Sequence, residues 1–153
     1  MTATSTDTST EDMRALLHRF ISEVINERDL ERAMTDIVAE DFIEHIPFPG
    51  QGPGRAGLAD VLAGMFAGFP DLHWTIRDTL AEGDRVMAYS TWTGTHRGKF
   101  MGIPATGNQV SVDAWTIDRY KNGQMTESRM IMDVAGLLTQ LGVLPAPADG
   151  ADS

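Results

Sequence analysis

Cysteine is absent from the 153 residues, which removes disulfides, thiolate metal sites and a thiol nucleophile together and fits a reducing compartment. Long apolar runs are missing too; none approaches the roughly 20 residues a membrane-spanning helix needs, so no membrane association is expected. Basic residues are few: 12 Lys and Arg stand against 22 Asp and Glu, a formal net charge of −10. A chain that acidic repels phosphate backbones and anionic lipid, because both associations depend on Lys or Arg neutralising the partner. Nucleic acid is therefore excluded as an expected partner. Nothing reads as a glycine-rich dinucleotide turn, a phosphate-binding loop, a zinc-protease helix or a serine nucleophile elbow. No His/Asp/Glu cluster has ligand spacing, so neither metal nor organic cofactor is expected.

The length suits one domain. Residues 1–10 are rich in Thr and Ser, with no basic start and no apolar stretch. They are read as a disordered tail rather than a secretory signal, which makes the cytoplasm the expected location. A second disordered tail, rich in Pro, Ala and Asp, is expected over 145–153, leaving 11–144 as the domain.

Within it, Ser9 or Thr10 followed by Glu11 and Asp12 signals a helix start. Met13, Leu16, Leu17, Phe20, Ile21, Val24 and Ile25 then keep the spacing that lines one helical face. A shorter helical pattern covers Leu30 to Val38, and Phe42 to Ile46 is a brief β-like run. The segment from Pro47 to Gly54 holds too much Pro and Gly for regular structure, and its tip is expected to be mobile. Leu58, Val61, Leu62, Met65, Phe66 and Phe69 restore helical spacing until Pro70 stops it. From Leu72 the period becomes two, and strands are expected over Leu72–Leu80, Val86–Thr95, Val110–Tyr120 and Met125–Met132, with turns at Gly83-Asp84 and Asn122-Gly123. Gly136 to Leu141 closes the chain as a short helix. Three helices before an antiparallel sheet imply an α+β fold with the helices packed on one sheet face.

Phe69-Pro70-Asp71-Leu72, Gly94-Thr95-His96-Arg97-Gly98, Phe100, Gly102-Ile103-Pro104-Ala105-Thr106-Gly107, Asn122-Gly123-Gln124, Glu127, Asp133 and Gly136-Leu137-Leu138-Thr139-Gln140-Leu141-Gly142 together resemble, in order and spacing, the SnoaL-like polyketide cyclases of the nuclear transport factor 2-like superfamily. The resemblance runs from about Asp12 to Leu144. It implies a conical barrel of a curved, mainly antiparallel sheet, an apolar cavity that works without a cofactor, and a homodimer formed through the outer sheet face. The chemistry stays open, since one scaffold hosts several reactions. Aldol-type members carry a catalytic aspartate on the last strand, three residues before the Asp of a closing Asp-Xaa-Xaa-Gly run, and that position here is Met130. Thr116 stands where those cyclases show a histidine. A thioether transfers no proton and a hydroxyl is a poor base near neutrality, so the aldol mechanism does not carry over.

Acid–base chemistry is sought first among the histidines. His18 and His73 read as solvated. His45, where a strand meets the Pro/Gly loop, is a candidate general base or a half-buried structural histidine. His96 is a candidate catalytic group or a loop-fixing one. Asp133 either orients a histidine or caps the last helix. Expected substrate contacts are Phe48, Met65, Phe66, Trp74, Tyr89, Phe100, Thr116, Met130 and Met132. Strand alternation groups Ser128, Met130 and Met132 on one face and Glu127, Arg129 and Ile131 on the other, and likewise Thr116 with Ala114 against Trp115 with Asp113. The expected activity is a cofactor-independent cyclase or isomerase acting on a hydrophobic, polyketide-like molecule; the alternative is a non-catalytic protein that binds such a molecule.

Overall fold

A computed structural model describes residues 9–145. The tails expected over 1–10 and 145–153 lie outside the described residues except for Ser9, Thr10 and Pro145, and at the first of these ends the expectation is corrected. Ser9 is an N-cap: its hydroxyl accepts the Asp12 N–H at 3.1 Å, and helix α1 (Thr10–Arg19) begins directly after it. Glu11 and Asp12 sit in the first turn, where the helix dipole favours negative charge.

The apolar stripe that begins at Met13 continues past α1, but the backbone changes. Phe20–Asn26 is π-helical, and it keeps Phe20, Ile21, Val24 and Ile25 buried. Its last residue fastens it to the sheet. The Asn26 carboxamide accepts the Trp74 N–H at 2.8 Å and donates to the Trp74 carbonyl at 2.9 Å, so one side chain serves both backbone groups of an edge strand. Just beyond, Arg28 donates to the Pro70 and Leu72 carbonyls while its guanidinium lies 4.9 Å over the Phe66 ring. Asp29 Oδ1 then accepts the N–H groups of Glu31 and Arg32, starting helix α2 (Arg32–Ile37).

Strand β1 (Val38–Glu44) follows without a loop. It starts four residues earlier than the β-like run implies, because Val38, helical by its spacing, is extended, and both it and Ala39 are buried. Helix α3 (Gly54–Gly68) stops at Phe69, directly before Pro70. The strands β2 (His73–Glu82), β3 (Arg85–Thr95), β4 (Gln109–Lys121) and β5 (Gln124–Met132) lead to helix α4 (Val134–Gln140). The sheet order is β1-β5-β4-β3-β2. β2 to β5 pair antiparallel as a meander, and β1 joins β5 in parallel. The result is the expected α+β cone: helices from the first half of the chain packed on the inner face of a curved sheet.

One end of this interior is solid. Trp92 is fully buried, stacked on Trp74 at 6.5 Å and met edge-on by Phe69 at 5.0 Å. Among the described residues no helix is long and apolar enough to cross a membrane.

Two local contacts tie the Pro/Gly segment on either side of its tip. Gly57 packs so closely against Gly52 that a Cβ at Gly57 would overlap the Gly52 carbonyl oxygen, and Gln51 accepts the Phe48 N–H at 3.0 Å. Alanine normally favours a helix by about 1 kcal/mol over glycine, but here the obstacle is backbone and cannot rotate away. Gly57→Ala should therefore destabilise the chain by roughly 1–3 kcal/mol, and urea denaturation that shows a gain instead would contradict this packing.

Candidate active site

Between the inner sheet face, α1 with its π-helical extension, and α3 lies a cavity open to solvent; the free space inside it and the solvent at its mouth together come to about 710 Å³. Its walls are mostly apolar. Leu17, Phe20, Ile21 and Ile25 come from the first helix, Leu58, Val61, Leu62 and Met65 from α3, and Trp74 and Ala88 from the sheet. Phe42 on β1, Phe48 in the following loop, and Met125 and Met130 on β5 add to this lining.

At one place the wall turns polar. Register puts Glu44 of β1 opposite Ser128 of β5, and Ser128 opposite Asp118 of β4. Residues paired in this way share a face, and all three line the cavity. Thr116 lies one step along the same face of β4, paired with Met130 on one side and Ala88 on the other. Glu44 and Asp118 are the ionisable groups of the lining, and no cationic side chain accompanies them.

The two carboxyls differ in their surroundings. Glu44 Oε1 accepts the Ile46 N–H at 3.0 Å and the Met130 N–H at 3.3 Å. Burial raises its pKa, and those two backbone donors, with Ser128 and the nearby His45, oppose the rise. Asp118 is 3% exposed. Burial pushes its pKa up to about 7, the negative charge of Glu44 adds to the rise, and the Ser128 and Thr116 hydroxyls only partly offset it. Tyr120, two residues further on, is held well above the usual phenol range by burial and by Asp118, and its hydroxyl is buried without a partner among the described residues.

The residues expected from sequence divide sharply. Phe48, Met65, Trp74, Thr116 and Met130 line the cavity. Met132 shares the inward parity of Ser128 and Met130, but it lies beyond the cavity, in a surface depression with Ile46 and Pro47. Tyr89 points the other way: Ala88 and Ser90 take the inward positions on β3, leaving Tyr89 to stack on Trp115 of the outer face at 5.0 Å. Phe66 follows Met65 on α3 and is turned from the cavity by one helical step of about 100°, under Arg28. Phe100 packs edge-on against Phe69 at 5.2 Å, outside the lining.

None of the three candidate acid–base residues reaches the cavity. His45 follows the inward Glu44, so alternation sends it out, where its Nε2 meets Glu127 Oε1 at 2.7 Å beside Arg119 and Asp84. His96 is fully buried, and its Nδ1 accepts the Thr106 N–H at 3.2 Å, which leaves the ring proton on Nε2. It fixes the loop that returns to β4. Asp133 accepts the Gly136 N–H at 2.8 Å and caps α4.

A curved sheet with helices packed on its inner face and a mostly apolar cavity between them is the nuclear transport factor 2-like architecture. The profile of the SnoaL-like polyketide cyclases matches residues 15–141, and the chain belongs to that family. Solved structures agree. TsrD from Streptomyces laurentii superposes with a TM-score of 0.80 at 28% identity, covering 89% of this chain and 98% of TsrD. IdmH from Streptomyces antibioticus, described as a candidate polyketide cyclase, gives a TM-score of 0.74 at 30% identity over 85% of this chain and 98% of its own. AclR from Streptomyces galilaeus, described as a candidate hydroxylase, gives 0.78 at 28% identity over 91% and 86%. No curated protein gives a significant match to the sequence.

Asp118 holds its proton more tightly in the folded chain than at the ordinary value of 3.8. The stability it contributes is therefore complete below about pH 4 and is lost as pH rises through about 7. Asp118→Asn should flatten that fall and leave the variant more stable than the parent at pH 8 by roughly 1–4 kcal/mol. Parallel denaturation curves at pH 5 and pH 8 check the sign.

Proposed function

We propose that this chain is a cofactor-independent cyclase or isomerase that acts in the cytoplasm on a hydrophobic, polyketide-like molecule. The observation that carries this reading is the cavity: apolar walls from the first helix, α3 and the sheet, with the half-buried Glu44 and the buried Asp118 side by side on the lining. Family membership supports the same reaction class. A flexible substrate enclosed there is held in one fold, which supplies the orientation that ring closure needs, and water is kept from the reacting atoms. The carboxyls supply proton transfer, which such rearrangements require and which needs neither metal nor redox group.

Met130 and Thr116, at the positions where aldol-type relatives carry their aspartate and histidine, belong here to the wall. That substitution is what gives weight to a second reading, a protein that binds such a metabolite without changing it.

Filling the cavity separates function from fold. Ala88 is buried and inward-facing, so Ala88→Phe should abolish binding of a hydrophobic metabolite and its conversion together, while Met130→Leu, close to isosteric, retains most of both. Co-purified metabolite is recovered and returned to fresh protein or to buffer, and mass spectrometry follows its conversion. Binding that tracks these variants with no conversion by the parent establishes the second reading.

We also propose a homodimer through the outer sheet face. Exposed Trp115 and Ile131, flanked by Glu127, Arg129 and Asp113, support it, because specific interfaces mix apolar centres with polar rims. Light scattering at tens of micromolar should give twice the chain mass, and Trp115→Glu should give the monomer.

A further inference from the structure

We propose that Glu44, Ser128 and Asp118 form a proton relay in which two carboxyls share one proton across a serine hydroxyl, Glu44 serving as the base toward a substrate C–H and Asp118 as the acid toward its carbonyl oxygen. This rests on the reading above and deepens it, since it assigns the acid, the base and the substrate's reacting end.

Three neighbouring strands place the groups in one row, Glu44 opposite Ser128 and Ser128 opposite Asp118, on the cavity wall. The Ser128 hydroxyl, between the two carboxyls in the strand register, lies close enough to each to hold its pKa down. A hydroxyl has only one hydrogen to give. Two ionised carboxylates would compete for it and repel each other, whereas one protonated carboxyl can donate to the serine oxygen while the serine donates to the other. The row is therefore satisfied by one proton more than full ionisation allows.

The surroundings say where that proton rests. Glu44 Oε1 already accepts two backbone N–H groups, which compensate its charge. Burial disfavours the ionised form of Asp118, and the nearby Ser128 and Thr116 hydroxyls offset this only in part. Arg119, the next residue, is committed outward to Asp84 and Glu127, and across the sheet Asp118 faces Val86. His45, whose charge acts on Glu44, is bound to Glu127. Asp118 thus carries the proton and Glu44 is the free base, the separation of roles that unequal environments impose on paired carboxyls. The Tyr120 hydroxyl, near enough to Asp118 for the two to interact, is buried without a partner among the described residues.

The step balances without an added reagent. Glu44 takes a proton from the carbon beside the carbonyl, the C–H electron pair becomes the new C=C bond, and the carbonyl oxygen takes a proton from Asp118 to give a neutral enol. Ser128 then accepts the proton from Glu44 and passes its own to Asp118, restoring both groups. With no cation on the lining, the substrate class is a neutral, largely apolar ketone or β-dicarbonyl compound, and a free carboxylate is rejected.

The test uses the full-length protein with 2-tetralone in D2O, following loss of the α-proton signals by NMR against buffer, with affinity measured separately. The parent chain should accelerate exchange. Glu44→Gln should lower that acceleration by about a hundredfold with tetralone affinity kept within about threefold, and Asp118→Asn by about tenfold or more. Ser128→Ala should slow exchange and Ser128→Thr restore it. Carboxyl ¹³C titration of the parent and of Glu44→Gln is the second readout, in which losing the Glu44 charge must lower the Asp118 midpoint. Tetralone that binds without accelerated exchange, exchange undiminished in Glu44→Gln, or an unmoved Asp118 midpoint overturns the relay and leaves the cavity reading standing. Failure of tetralone to bind overturns both.

Discussion

The parallel pairing of β1 with β5 is the constraint on which the site depends. Without it β5 would be the sheet edge, and Glu44 would end a strand with nothing beside it. With it, β5 has neighbours on both flanks, and the alternation of β1, β5 and β4 is locked into one phase. Phe42 and Glu44 then point inward as a consequence of register, as do Ser128 with Met130 and Asp118 with Thr116. A slip by one residue in any of the three strands would replace this row by His45, Glu127 or Arg119, the groups that now pair on the outside. The inner and outer polar clusters are thus two sides of the same ladder.

That arrangement sets stability against chemistry. Asp118 is buried with no cation to compensate it, so the chain holds at its centre a group that resists ionisation. A well-packed apolar residue would stabilise the sheet more. Groups whose environment holds them away from their ordinary protonation behaviour concentrate at sites that use it, and the contrast with outward Glu127 is instructive. Glu127 has His45 and Arg119 beside it and serves the surface.

Much of the fold is legible in the amino-acid sequence. The three helices, the meander, the turns and the inward grouping of Ser128 with Met130 follow from period and punctuation alone, and the order of the Gly and Pro motifs carries the family. The site is less legible, because a search for titrating groups that starts from histidine leads to His45. The alternation rule that places Met130 exposes better candidates. Thr116 and Ala114 share a face, and two residues beyond Thr116 along β4 stands Asp118; Phe42 is apolar, and two residues along β1 stands Glu44. An acidic residue in phase with an apolar stripe is the signal, and both strands carry it. The same rule corrects Tyr89, since β3 alternates Val86, Ala88, Ser90 and Trp92 inward. Phe66 and Phe100 cannot be sorted this way. A helix face is broad, and Arg28 reaches Phe66 from a residue with positive φ that no periodicity announces. Pairing between the first and last strands of the sheet is likewise invisible to local pattern.

The π-helical turn between α1 and α2 bears on how this chain tolerates changes in length. Phe20–Asn26 winds more loosely than an α-helix, so it holds slack that a regular helix lacks. Removing one residue there would let the backbone tighten into an ordinary α-helix, as good a helix as before. A π-turn advances through a smaller angle per residue than an α-turn, so the seven residues present and six in an α-helix would turn the chain through nearly the same angle. Asn26 would keep its direction toward the Trp74 backbone it now holds from both sides. The element that looks most irregular is therefore one that can lose a residue without rotating the seam between helix and sheet.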